Sequence, residues 1–166
     1  MAITFNHTIV HSTDRSAAAT FYTELFGLPP AQEFGHFLAV ELNHGVSLDF
    51  AQMPEGTNVV PQHYAFLVSE DEFTAIYDRI RERGLQHWAD PRAQHPGEIN
   101  HNDGGRGVYF QDPSGHYLEI ITTPYGPHKL GYGLVTFAVG VDGLAVSRDG
   151  EWLYYATMSH DSVYRV

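Results

Sequence analysis

Phe5-Asn6-His7-Thr8-Ile9-Val10 and Gln62-His63-Tyr64-Ala65-Phe66-Leu67 are two apolar stretches, each with a histidine near its start, and each opens a unit that ends on a carboxylate. The first unit runs through a helical segment that stops at Gly27 and reaches Val46-Ser47-Leu48-Asp49-Phe50. The second runs through a helical segment that stops at Gly84 and reaches His116-Tyr117-Leu118-Glu119-Ile120. From histidine to glycine is 20 residues in one unit and 21 in the other. Shared ancestry of two halves is the simplest cause, and the chain is read as two copies of one module that opens on a strand, passes through a helix and ends on strands.

Successive residues of a strand face opposite sides of its sheet. Leu48 and Phe50 flank Asp49, and Leu118 and Ile120 flank Glu119, so each acid sits on the face that its apolar neighbours leave. One face of each sheet then packs on a helix and the other is functional. An isolated strand histidine is ordinarily a hydrogen-bonded packing residue, and a lone inward carboxylate needs a partner whatever its purpose. Two histidines and two acids at matched places in a repeat are harder to explain as structure. Imidazoles and carboxylates together make an N/O donor set suited to one divalent ion of Fe, Mn, Co, Ni or Zn. The chain has no cysteine to compete for that ion.

Working outward, Ile3, Phe5, His7, Ile9 and His11 alternate onto one side of a strand over residues 3–11. Thr13 or Asp14 caps the helix that follows, Ala17, Phe21 and Leu25 form its apolar stripe, and Gly27 with Pro29 and Pro30 ends it. Strands over 37–42 and 46–51 flank the turn Asn43-His44-Gly45, and residues 52–61 are read as a linker. In the second unit Ser69 and Glu72 form a capping box, ahead of a stripe of Phe73, Ile76, Tyr77 and Ile80. Between Trp88 and Gly107 the sequence is too rich in Pro, Gly and Asn for a regular element, and so long a loop suits a lid. Asp112-Pro113-Ser114-Gly115 makes the last turn.

Nine basic against twenty acidic residues give a formal charge of −11, which argues against nucleic acid or an anionic membrane as partner. The longest apolar runs fall far short of a membrane span, and the N-terminus lacks a signal-peptide layout. A cytoplasmic protein acting on a small molecule is expected.

The stretch Gly107-Val108-Tyr109-Phe110-Gln111-Asp112-Pro113-Ser114-Gly115-His116-Tyr117-Leu118-Glu119-Ile120 resembles the last, ligand-bearing hairpin of the vicinal oxygen chelate superfamily. That superfamily includes glyoxalase I, fosfomycin-resistance proteins, methylmalonyl-CoA epimerase and extradiol dioxygenases. Asn6-His7-Thr8-Ile9-Val10, Phe21-Tyr22 and Leu25-Phe26-Gly27-Leu28 are similar to its first strand and helix. The resemblance covers about residues 3–126. It implies an α+β fold in which two paired β-α-β-β-β modules, about 1–52 and 60–126, form a cup-shaped sheet. It also implies His7, His63 and Glu119 as the metal triad, with Asp49 at a fourth ligand position where glyoxalase-type members often carry Glu.

The activity this implies is a metal-dependent lyase or isomerase whose substrate chelates the ion through neighbouring oxygens. Glu119 or Asp49 would then move the proton, and Tyr117, which shares strand parity with Glu119, would hydrogen-bond a bound oxygen. No basic cluster is assignable to a glutathione moiety. An Fe(II) extradiol-type ring-cleaving dioxygenase is the second reading, with His101 and Tyr109 as the further site residues it needs. A non-catalytic binding protein of the bleomycin-resistance kind is the third. Arg106 in the candidate lid would suit a substrate carboxylate or phosphate. His36, His44, His87, His95, His128 and His160 show no matched spacing and are read as surface or turn residues. Cups of this family form within one chain or between two, and a homodimer is expected.

From Gly131 the chain changes character. Leu134 to Val139, Asp142-Gly143-Leu144-Ala145-Val146-Ser147, a turn at Arg148-Asp149-Gly150, Trp152 to Ala156 and Val163 to Val166 read as short strands. They resemble part of one propeller blade of the gluconolactonase or royal-jelly-protein kind. One blade cannot close a propeller, so residues 127–166 are expected to be a β appendage dispensable for the site.

Overall fold

The computed structural model describes residues 4–124 and three short strands at 143–146, 153–156 and 163–165. The first half runs β1 (His7–Ser12), α1 (Arg15–Phe26), β2 (Gln32–Phe34), β3 (Phe37–Glu41) and β4 (Ser47–Gln52). The second runs β5 (His63–Leu67), α2 (Glu70–Glu82), β6 (His87–Trp88), β7 (Gly107–Gln111) and β8 (Tyr117–Ile121). The two four-stranded sheets have orders β1-β4-β3-β2 and β5-β8-β7-β6, the same topology twice. In each, the first and last strands of the module pair in parallel and the rest form an antiparallel meander. The fold is α+β, with two β-α-β-β-β modules.

By contact density the chain divides into two compact units. One comprises residues 1–61, 75–85 and 111–116, and the other 62–74, 86–110 and 117–166. In the first, Val10, Leu48, Phe50 and Val40 turn to the helix-packed face and are buried with Ala18, Tyr22 and Leu25 of α1. Tyr22 packs edge-on against Phe50, with ring centroids 4.8 Å apart. The stripe of α1 is therefore Ala18, Tyr22 and Leu25 rather than Ala17, Phe21 and Leu25, since Ala17 is exposed and Phe21 only half-buried. The reason is angular: two steps of four residues drift by about 80° around a helix, whereas a step of four and one of three stay near one line.

Asp14 is the N-cap, its carboxylate accepting from the Ser16 and Ala17 backbone N–H groups. Gly27 ends the helix in the left-handed region at φ 69, where a side chain would be strained. In α2, Phe73, Ile76 and Ile80 are buried as the stripe requires, while Tyr77 is half-buried. Its capping box is complete: Glu72 Oε2 accepts from the Ser69 N–H at 2.7 Å, and the Glu72 N–H donates to Ser69 Oγ at 3.2 Å. Arg79 donates to the Leu25 carbonyl and Arg83 pairs with Glu24, tying the end of α2 to α1.

Strands β9 (Gly143–Val146), β10 (Leu153–Ala156) and β11 (Val163–Arg165) form an antiparallel sheet of order β11-β10-β9. The expected run over 134–139, the turn at 148–150, His128, His160 and the boundary at 126–127 lie outside the described residues. No helix among the described residues is long and apolar enough to cross a membrane.

Candidate functional site

In the second unit the parallel register sets His63 beside Tyr117 and Ala65 beside Glu119, placing all four on one face of the sheet. Leu118 and Ile120, on the other face, are fully buried. His63 Nε2 lies 3.2 Å from Glu119 Oε2. The imidazole is 15 % exposed and the carboxylate 2 %. The Asp112 N–H bonds the His116 carbonyl and the Thr122 N–H bonds the Arg106 carbonyl, an offset that sets Tyr109 opposite Glu119. The Tyr109 ring is buried, its centroid 6.0 Å from that of His63.

This pair fits a divalent ion. Two ligands each about 2.1 Å from one metal, at angles between octahedral and tetrahedral, stand about 3.0–3.4 Å apart. The observed separation of 3.2 Å lies within that window. A carboxylate withdrawn from water is costly unless it is paired or coordinates a cation, and Glu119 faces the imidazole nitrogen of His63, a donor type that also ligates metals.

The first unit carries the other two candidates. In its parallel register His7 stands beside Ser47 and Ile9 beside Asp49, so His7, Ile9, Ser47 and Asp49 share a face. Asp49 is buried and accepts from Ser47 Oγ at 2.8 Å. His7 is exposed, and its Nδ1 meets Asn6 Oδ1 at 2.7 Å. Because the amide oxygen only accepts, Nδ1 carries the hydrogen, and the lone pair is left on Nε2 for a metal. Among the described residues, no three His, Asp or Glu side chains gather into a group that would hold a metal ion. The structure thus joins His63 to Glu119, and sets His7 and Asp49 on one face of their own sheet.

Two expectations are revised, those for Arg106 and His87. Arg106 is occupied by its own chain: Nε donates to Glu70 Oε2 at 2.7 Å, a second nitrogen donates to the Glu70 carbonyl and to Thr74 Oγ1, and the guanidinium stacks over Phe73. A cation so engaged pins the loop to α2 rather than waiting for a substrate anion. His101 is exposed and immediately precedes a short 3-10 turn, Asn102–Gly104. His87 is half-buried in β6 rather than lying in a turn, while His36, His44 and His95 are exposed.

The long loop is built from local turns. Asp90 accepts from the Arg92, Gln94 and His95 N–H groups, and the Asn100 backbone bridges Gly107. A Cβ on Gly107 would meet the Asn100 side chain at 2.7 Å, and one on Gly105 would meet Thr123 Oγ1 at 2.5 Å, so both positions exclude larger residues by close approach.

A buried polar cluster not foreseen as such lies at the turn before β8. Asp112 and His116 are both buried. Asp112 accepts from the Ser114 and His116 N–H groups and, at 3.4 Å, from Tyr22 Oη, and His116 Nε2 donates to the His11 carbonyl at 2.8 Å. Burial pushes the Asp112 carboxyl above its ordinary range, with the nearby His116 and the hydrogen bonds opposing that rise. The Asp-Pro-Ser-Gly turn signal was legible, but not that its acid is buried. Glu70 is held below the ordinary carboxylate range, first by a hydrogen bond from Thr122 and then by Arg106, and Glu72 by its bonds from Ser69.

Residues 4–120 match the family model "Glyoxalase/Bleomycin resistance protein/Dioxygenase superfamily". Among solved structures, the chain is 58% identical to Oxidase ChaP-H1, covering 75% of this chain and 99% of that one with a TM-score of 0.73. Glutathione transferase FosA of Serratia marcescens is 27% identical, over 72% of this chain and 81% of its own length. Metallothiol transferase FosB of Shouchella clausii (strain KSM-K16) is 26% identical, over 70% of this chain and 78% of its own.

Proposed function

The chain belongs to the glyoxalase/bleomycin resistance protein/dioxygenase superfamily, and within it we propose a metal-dependent oxidase acting on a small substrate with neighbouring oxygens. The observation that carries the reading is the His63–Glu119 pair, spaced for two adjacent metal ligands. The similarity at 58% identity to a protein named an oxidase favours oxidative chemistry over the lyase or isomerase reaction first expected from sequence.

His7, with its Nε2 lone pair set by Asn6, is the third ligand in this reading, and Asp49, held by Ser47, stands at the fourth position or serves as base. When bound, the ion supplies Lewis acidity toward the substrate's oxygens and, as Fe(II), a site for dioxygen. Tyr117, in register with His63, orients the substrate by hydrogen bonding. Tyr109, buried against His63, excludes water from that side. Tyr117 and His101 complete the set of proposed catalytic residues.

We further propose a homodimer. Ile9 and Phe34, on the face of the first sheet that carries His7, are 45 % and 67 % exposed, and a second copy would cover them.

The test is anaerobic loading with Fe(II) followed by oxygen in the presence of aromatic diols. Substrate-dependent oxygen uptake that is lost in Glu119→Ala is the expected result. Product formed without oxygen uptake would return the protein to the lyase or isomerase class. Light scattering reads the dimer, and a monomer that still binds metal would show that one chain closes its own site.

A further inference from the structure

The hydrogen-bond register of the second module defines which backbone groups of β5 face away from β8. The Tyr117 N–H donates to the Gln62 carbonyl, and the Val68 N–H donates to the Ile121 carbonyl. In a parallel pair the N–H and C=O of one residue point to the same side and the side alternates along the strand, so residues 62, 64, 66 and 68 bond toward β8. The N–H and C=O groups of His63, Ala65 and Leu67 form a row on the opposite side. β5 stands at one end of the order β5-β8-β7-β6, so this row runs along the margin of the sheet. Such a row is a template for pairing with another chain unless something covers it.

The first module has the same row on β1. There the Ser47 N–H bonds the Asn6 carbonyl and the Met53 N–H bonds the Ser12 carbonyl, which turns the backbone groups of His7, Ile9 and His11 outward. The His11 carbonyl accepts from His116 Nε2 at 2.8 Å, and the Thr13 N–H donates to Ser114 Oγ at 3.2 Å. The end of that row is closed by side chains of the turn before β8.

On β5 the neighbour is a strand. β9 lies beside β5, with Cα atoms of the two strands within 8 Å, and both belong to the same compact unit. β9 is at one end of the order β11-β10-β9, its ladder pairing Leu144 with Tyr155 and Ala145 with Tyr154 of β10. Strands of four, four and three residues make a sheet that is marginal by itself in water and needs a surface to pack on. The margin of β5 needs a cover, so each element meets the other's requirement. The three strands lie beyond residues 4–120, the span of the family match, and are an addition to the family frame.

We propose that the C-terminal sheet is an edge cap: β9 covers the outward row of β5 within the same chain and so prevents a second copy from pairing there. Two copies could otherwise join β5 to β5 across a twofold axis, a contact in which one surface is its own complement. The cap is a device of assembly rather than of chemistry, and it does not depend on the oxidase reading. The homodimer proposed above uses a face of the first sheet and leaves this margin alone.

The test is residue-resolved amide hydrogen exchange, read by NMR on the full chain without metal. In wild type the Ala65 and Leu67 amides should be protected by at least about tenfold relative to an unstructured chain, at a level independent of protein concentration. Ala145→Pro removes a donor and fixes φ in the middle of β9, and should speed exchange at Ala65 and Leu67 by about tenfold or more. Tyr64 and Phe66, bonded toward β8, should keep their rates, which shows the module folded even where the variant loses its whole C-terminal sheet. The same variant should associate beyond the wild-type state in sedimentation. Wild-type exchange at Ala65 and Leu67 as fast as in an unstructured chain would overturn the cap, as would rates unchanged in Ala145→Pro. Protection that fades on dilution would overturn it too, because a second copy rather than β9 would then cover the row. Faster exchange in the variant with no added association would overturn the role in assembly.

Discussion

The two modules share strand order, parallel closing pair and a histidine and acid on the same face, yet they hold those side chains differently. In the second, imidazole and carboxylate already meet at 3.2 Å and the acid is almost wholly buried. In the first, each is held by a neutral neighbour, His7 by Asn6 and Asp49 by Ser47, and His7 stands exposed. A duplicated module has thus kept its frame while its two copies took different parts. The second carries an imidazole and a carboxylate already in contact, and the first carries an exposed imidazole whose Nδ1 is held by Asn6.

The largest effect expected from this contrast concerns metal affinity. His7→Ala should lower it by well over about 100-fold, as loss of a direct ligand, whereas Asp49→Ala should cost about 10–100-fold, the range of an outer-sphere partner. Competition against a colorimetric chelator measures both. Equal losses would make the modules equivalent donors and dissolve the contrast.

A second effect is on stability in the second unit alone. Gly105→Ala puts a Cβ against Thr123 and should cost about 1–3 kcal/mol in denaturant unfolding. Next in size, Ser69→Ala removes the cap of α2 and should cost about 1 kcal/mol. Part of the cap's contribution is the depressed Glu72 carboxyl, so it should be present above the ordinary carboxylate range and fade as pH falls through the folded-state value.

The smallest and most specific effect is at Asp112. Its folded pKa is raised by burial, so the native state binds more protons than the unfolded one between the two values, and stability should fall as pH rises through that window. In Asp112→Asn that slope should disappear while the turn persists, because the amide oxygen still accepts from Ser114 and His116. An unchanged slope would locate the titration elsewhere.

Much of the frame was legible in the sequence because it rests on local signals. Gly27 after a capped helix, the Ser69–Glu72 box and the alternation around Asp49 and Glu119 each state their structure within a few residues. Strands β2 and β6 were not legible: they are three and two residues long, too short to show alternation, and their form is imposed by the segments they pair with. The meeting of His63 with Glu119 was inferable only through the repeat, since 56 residues separate them. The capture of Arg106 by Glu70, Thr74 and Phe73 was hidden, because nothing in the loop announces which helix its cation will meet.

Whether His63 and Glu119 hold an ion is decided most directly by titrating Co(II) into the metal-free protein and following its visible absorption. Wild type should saturate at one ion per chain. The signal should be lost at the same concentrations in Glu119→Ala, with melting behaviour showing that the variant is folded. Stoichiometric binding with an unchanged spectrum in Glu119→Ala would contradict the assignment of this pair as metal ligands.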